Sequence, residues 1–196
     1  GLSATALVAM AMLGRLAIGI RHILPAFPAL LLLAGAGWMA LYRRGRAYRA
    51  LAAALLLWHG AAAVANHPHH LAYFNEAAGG LDAGSAWFVD SNLDWGQDLG
   101  RLGVWMRAND VPWVNLAYFG TDEPRRHGVI GPRLDVGSPY PLRYDSPRRP
   151  GVLAISETAR RGLELGPKGR ARVQSWLLGA REIGHIGGSI RLYALP

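Results

Sequence analysis

Two uncharged apolar runs, Ile23 to Tyr42 and Ala50 to Asn66, are separated by a short polar connection that carries Arg43, Arg44, Arg46 and Arg49. No other feature restricts the fold as much. The first run has about 20 residues, which at roughly 1.5 Å per residue spans the roughly 30 Å hydrocarbon core of a bilayer. The second, of roughly 17, is just long enough to cross back. Pro25 and Pro28 fall in the first turns of the leading helix, where a missing N–H costs least, and Trp38 and Tyr42 suit its far interface. The positive-inside rule places the four-arginine turn in the cytoplasm, so the loop 15–22 and everything after Asn66 are expected outside it. Arg15 and Arg21 then sit on the side the rule disfavours. The opening stretch, Leu2 to Gly14, is apolar but covers only about 20 Å, and reads as the end of a further helix that begins before Gly1. A signal peptide is not expected, since no basic n-region or A-x-A cleavage site accompanies the apolar stretch.

Composition agrees with a membrane protein: 51% of residues are hydrophobic and 17% charged, with a mean hydropathy of +0.12. Residues 1–66 hold six arginines and no acid, whereas residues 67–196 hold 15 Lys+Arg and all 13 Asp+Glu. Most of the net +8 therefore flanks apolar segments, where topology and anionic lipid account for it, and nucleic acid is not expected as a partner. The absence of cysteine excludes a disulfide framework and a thiolate-ligated metal.

The predicted division is a membrane part, 1–66, comprising two full helices and the end of a third, followed by an extracytoplasmic α/β domain, 67–196. In the latter, Ala86–Val89 and Trp113–Phe119 read as strands flanking a helix over Gln97–Ala108, whose apolar positions Leu99, Leu102, Trp105 and Met106 have helical spacing. Gly151–Ile155 reads as a strand, Glu157–Leu163 and Ala171–Leu178 as helices, and Ser189–Ala194 as a closing strand. Residues 121–150, rich in proline and arginine, read as an irregular excursion. Alternation of strands and helices favours a layered α/β domain.

Five strings have a family character. Gly19-Ile20-Arg21-His22-Ile23-Leu24-Pro25 lies at the outer end of a helix. Pro68-His69-His70-Leu71-Ala72-Tyr73-Phe74-Asn75-Glu76 follows the last span. Asp90-Ser91-Asn92-Leu93-Asp94-Trp95-Gly96-Gln97-Asp98-Leu99 is long and unusual, and Leu116-Ala117-Tyr118-Phe119-Gly120 and Ile186-Gly187-Gly188-Ser189-Ile190 complete the pattern. Together they resemble the C-terminal portion of bacterial glycosyltransferase family 39 proteins, relatives of dolichyl-phosphate-mannose protein mannosyltransferases. The resemblance implies a multi-pass GT-C enzyme of the bacterial plasma membrane, which moves a mannose-like sugar from a polyprenyl-phosphate donor to a hydroxyl of a protein or glycan acceptor outside the cytoplasm. Its catalytic acids are expected in an outer loop nearer the N-terminus of such an enzyme. Here the first carboxylate is Glu76, so no catalytic residue is assigned, and this stretch alone is expected to be inactive. No cofactor is identified; a divalent metal, if used, belongs to that N-terminal part.

Transfer from a lipid-phosphate sugar needs a cationic site for the departing phosphate. Arg21 suits it, because a guanidinium grips two phosphate oxygens and stays charged, and His22 could add a hydrogen bond. The plainer alternative has Arg21 snorkelling to the interface and His22 capping nearby carbonyls. His67, His69 and His70 lack metal-ligand spacing and read as a polar interfacial turn, with His69 a candidate acceptor contact at the site entrance. Asp90, Asn92 and Asp94 start like a calcium loop, but the glycine comes one place late and Arg101 occupies the position of the bidentate glutamate. Asp94 instead reads as a helix N-cap, with Gln97 completing a capping box and Asp98 in the first turn. That leaves Asp90, Asn92 and Trp95 as candidate saccharide contacts, by hydrogen bonding and ring stacking. Trp105, Trp113 and Trp176 read as core, and Arg125-Arg126 and Arg148-Arg149 as surface pairs. A non-enzymatic domain that binds saccharide or peptide while tethered to the membrane is the rival reading.

Overall fold

The computed structural model describes residues 9, 19–134, 147–161 and 166–196. The chain forms two compact units, Gly1–Pro68 and His69–Pro196.

In the first unit a 3-10 turn, Gly19–Ala26, leads into helix α1, Phe27–Arg43, and a tight turn at Gly45 reverses the chain into α2, Arg46–Ala65. Pro25 falls inside the 3-10 turn, and Pro28 in the first turn of α1, where no intrahelical donor is lost. Gly45 has φ of +139°, a conformation that a side chain would oppose. The reversal is tied by side chains from both helices. The Trp38 indole donates to the carbonyl of Ala52 at 3.1 Å, and Arg49 donates to the carbonyl of Tyr42 at 3.0 Å while lying over its ring. Leu31, Leu32, Leu56, Leu57 and Val64 point away from the pair and are more than half exposed, Leu32 at 76%. Residues 23–43 and 46–65 are long and apolar enough to cross a membrane. Among the described residues such a surface has no partner within the unit, which is what a lipid-facing helix pair requires.

The second unit is built on a four-stranded mixed sheet. Its strands are β1, Asn115–Ala117; β2, Gly151–Ser156; β3, Arg181–Ile186; and β4, Ile190–Leu195, in the order β1-β2-β4-β3. β1 runs parallel to β2, and the other neighbours are antiparallel. Around it stand α3, Gly80–Trp87; α4, Leu99–Ala108; α5, Glu157–Arg161; and α6, Gly166–Leu177. Because side chains alternate across a strand, Leu116, Ala154 and Leu192 face one way, toward Leu99, Leu102 and Met106 of α4. Ala117, Leu153, Ile155 and Tyr193 face the other way, toward Ala159 of α5 and Val173 and Trp176 of α6. The result is a three-layer helix, sheet, helix arrangement.

Several sequence expectations need correction. Ala86–Val89 is not a strand: Ala86 and Trp87 close helix α3, and Phe88 and Val89 follow it in extended conformation outside the four-stranded sheet. A four-residue apolar run is ambiguous between the two states; α3 packs against Phe74 through Gly84, where a Cβ would lie 2.5 Å from the ring. Consequently α4 is not flanked by two strands. The edge strand β3 was not anticipated, since its mostly exposed, polar residues carry no apolar alternation. Arg149 is more than a surface charge. It donates to the carbonyls of Trp176, at 2.9 Å, and Leu178, at 3.3 Å, where a cation satisfies the open C-terminal end of α6. Trp176 is buried as expected, while Trp105 and Trp113 are partly exposed at the margins. Leu2–Gly14, apart from Ala9, and part of the 121–150 excursion, 135–146, lie outside the described residues.

Candidate functional site

The string from Asp90 to Leu99 folds as a loop that closes on itself. Asp90 takes a left-handed conformation, φ of 59°, and its N–H donates to Thr158 Oγ1 at 2.9 Å. Its carbonyl accepts the N–H groups of Leu93 and Asp94, both at 2.9 Å. Leu93 is fully buried and anchors the loop. The Trp95 indole donates to the Ser91 carbonyl at 3.0 Å, and Gln97 accepts from Trp95 N–H and donates to the Leu93 carbonyl. With its nitrogen occupied, the Trp95 side chain still leaves the residue 56% exposed. Gly96 and Gly120, both at positive φ, let the end of β1 pack directly against this turn, with the Tyr118 ring filling the space a Cβ would need.

The expected capping box is absent. The residue that precedes α4 is Asp98, not Asp94, and its carboxylate makes no cap bond. Instead both acids turn inward, each only 1% exposed. Asp98 Oδ2 accepts from the hydroxyl of Ser189 at 2.7 Å and from its N–H at 3.2 Å, and Oδ1 accepts from Arg101 at 2.5 Å. His69 Nδ1 stands 4.0 Å from that same oxygen. The Gly187-Gly188 turn between β3 and β4 grips the carboxylate closely: a Cβ at Gly187 would come within 2.3 Å of it, and one at Gly188 within 2.5 Å of Ala72. Propensity and dipole favour Asp at these positions for capping; the buried donors of Ser189 outcompete that use.

Asp94 is less well served. Its Oδ1 accepts from Gly96 N–H at 2.9 Å, but Oδ2 has no hydrogen-bond partner. The Ser189 hydroxyl has one proton, and that proton goes to Asp98. Burial pushes the Asp94 carboxyl up to about 7; the Gly96 N–H opposes the rise, and the neighbouring Asp98 charge adds to it. The arrangement can therefore hold a proton on a buried acid near neutral pH, one residue away from an outward-facing indole.

Of the candidate residues, Asp90, Asn92 and Trp95 share this one loop, and His69 reaches its inner end through Asp98. Asn92 Nδ2 points back to the Val89 carbonyl at 3.5 Å, and the Ser91 hydroxyl donates to Asp90. Arg21 and His22 belong to the first unit, in the 3-10 turn Gly19–Ala26, and their side chains lie outside the described residues. Asp98, Arg101 and Ser189 were not anticipated as a cluster. The signal available was the i, i+4 pair of acids beside a Gly-Gly-Ser turn, but nothing in spacing alone joins residues 91 positions apart. Among the described residues no group of three or more His, Cys, Asp or Glu side chains could hold a metal ion, and Asp98 is committed to Arg101 and Ser189. Comparison with family models, curated proteins and solved structures finds no match to this chain.

Proposed function

We propose that this chain is the C-terminal portion of a membrane glycosyltransferase resembling family 39, working on the extracytoplasmic face with a polyprenyl-phosphate sugar donor. The observation that carries this reading is convergence. Strings of the second unit that carry the resemblance, around His69–Ala72, Asp90–Leu99, Tyr118–Gly120 and Gly187–Ser189, are far apart in the sequence yet meet at Asp94 and Asp98. The paired apolar helices of the first unit supply the membrane attachment that such a donor demands. In the reaction the acceptor oxygen attacks the anomeric carbon, the bond from that carbon to the phosphate oxygen breaks, and the polyprenyl phosphate departs with the bonding electrons. Arg21 stabilises the charge that builds on the phosphate, and His22 assists. The proton of the acceptor passes to a general base, a carboxylate expected in the N-terminal part of such an enzyme. The loop with Trp95 exposed offers the sugar or its acceptor a flat apolar face, with Asp90 and Asn92 alongside.

The test uses membranes that contain this chain together with the coding sequence upstream of Gly1, supplied with a radiolabelled polyprenyl-phosphate hexose. Arg21→Ala is expected to lower transfer by at least about tenfold, a loss of about 1.4 kcal/mol of transition-state stabilisation. Unchanged turnover removes Arg21 from the mechanism, and transfer that is absent in every preparation favours a tethered binding domain. Orientation is checked separately on this cysteine-free chain. A cysteine at exposed Thr121 should react with a membrane-impermeant maleimide from outside intact cells, and one at Ala47 only after lysis. The reverse pattern overturns the topology.

A further inference from the structure

The second unit carries an apolar groove that the proposed reaction does not use. It has a volume of about 310 Å³ and is lined by Phe74, Asn75, Ala77, Ala78, Trp87 and Phe88. The rings of Phe74 and Phe88 stack at 5.9 Å between centroids and 18° between planes, with Trp87 beside them at 62% exposure and Phe88 at 47%. The Trp87 indole N–H donates to the Ala78 carbonyl at 2.8 Å, so the ring can be surrounded by apolar material without stranding its donor. The charges on this stretch are engaged: Glu76 accepts from the Tyr73 hydroxyl at 2.9 Å, and Asp82 lies 3.7 Å from His185. The lining is apolar except for Asn75, whose Oδ1 accepts from the Ala78 N–H at 3.0 Å.

We propose that this aromatic groove seats the second unit on the boundary between lipid headgroups and acyl chains of the bilayer. The proposal rests on the reading that the helices of the first unit cross the membrane. Two observations select lipid over another occupant. Residues 66–73 are all that separate Phe74 from the end of α2, a reach of at most about 30 Å, so the groove is tethered close to the surface that the helix pair occupies. Two phenylalanines and a hydrogen-bonded tryptophan, held as a rigid platform, have the residue chemistry of the aromatic belt at a membrane interface. Contact driven by apolar area rather than by charge should be independent of the anionic lipid content.

The experiment is performed on the whole chain, reconstituted in phosphatidylcholine vesicles with and without phosphatidylglycerol. Single cysteines at Ala77, which lines the groove and is exposed, at Thr121, which does not line it, and at Leu32 on α1 are labelled with a polarity-sensitive nitrobenzoxadiazole dye. A lipid carrying a nitroxide at the top of its acyl chain should quench the probe at 77 at least about twofold more than the probe at 121, in both vesicle types. In the background of Trp87→Ser and Phe88→Ser that excess should disappear. Equal quenching at 77 and 121 overturns the proposal, as does quenching at 77 that survives removal of the two aromatic rings, or exposure of the 77 dye to aqueous iodide. The Leu32 probe separates the two levels of the argument. If a mid-chain nitroxide quenches it while the 77 dye is not quenched, only the docking fails. If Leu32 is not quenched either, the membrane reading falls and the docking with it.

Discussion

Replacing Asp98 by alanine is expected to lower the thermal unfolding midpoint of the chain in detergent by about 6–12 °C, corresponding to a loss of about 3 kcal/mol. The argument is one of stranded partners. The Ser189 N–H and hydroxyl are wholly buried and both donate to Asp98 Oδ2, so their removal from water is compensated by that carboxylate. An orphaned buried donor costs about 1–3 kcal/mol, and alanine strands two. Arg101 is a smaller part of the effect, because its side chain is 35% exposed and can turn toward solvent. Arg101→Lys, which keeps a cation beside the buried carboxylate, should accordingly cost no more than about 1 kcal/mol. The contrast identifies what the carboxylate does: it fastens the β3–β4 turn to the start of α4, across 91 positions of sequence. A loss below about 0.5 kcal/mol for Asp98→Ala, followed by near-ultraviolet circular dichroism, would show that the turn is held by its strand pairing alone.

How much of this was legible beforehand depends on whether the physical signal was local. The paired apolar helices could be read directly, because run length and the arginine cluster are properties of neighbouring residues; the structure places helices over 27–43 and 46–65. α4 and the strands β2 and β4 were likewise found within a few residues, since Leu99, Leu102 and Met106, or the short apolar run at 152–155, give a local signal. β3 was not, because an edge strand need not hide an apolar face. The end of α3 was misread as a strand because the apolar run 86–89 is too short to state a period of its own. At the site, local rules were misleading in an instructive way. Asp94, Gln97 and Asp98 satisfy the rules for a capped helix start, yet the acids are drawn inward by Ser189 and Gly96, and Gln97 closes the loop instead. A tertiary partner of higher value displaced a local one, and no property of the Asp90–Leu99 string discloses that partner.

Asp94→Asn provides the complementary case, in which a substitution at the same cluster should stabilise. In the folded chain the Asp94 carboxyl titrates at about 7 against 3.8 for an unperturbed aspartate, burial being the main cause, opposed by the Gly96 N–H and reinforced by the Asp98 charge. Between those two values the folded state binds more protons at this position than the unfolded state does. Stability contributed by the group is therefore fully present below about pH 4 and declines as the pH rises to about 7, above which the loss is complete. A displacement of about three units corresponds to at most about 4 kcal/mol, and relaxation around the ionised acid brings the expected cost to about 2–4 kcal/mol. Asparagine cannot ionise. Its carbonyl oxygen can keep the Gly96 N–H, and its amide nitrogen replaces the unpartnered Oδ2 with a donor beside Asp98. At pH 8 the variant should unfold about 4–16 °C above the parent, while at pH 4 the two should nearly coincide. The quantity to measure is the difference between the two midpoints as a function of pH, since every other carboxylate and histidine cancels in it. The groups facing Asp94 set its course: Asp98 and Asp90 raise its affinity for the proton, and Gly96 N–H and Ser189 lower it. A difference that is flat from pH 4 to 8, or one that favours the parent at pH 8, would mean that Asp94 keeps its charge when folded. Its Oδ2 would then need a cationic partner that this arrangement does not provide.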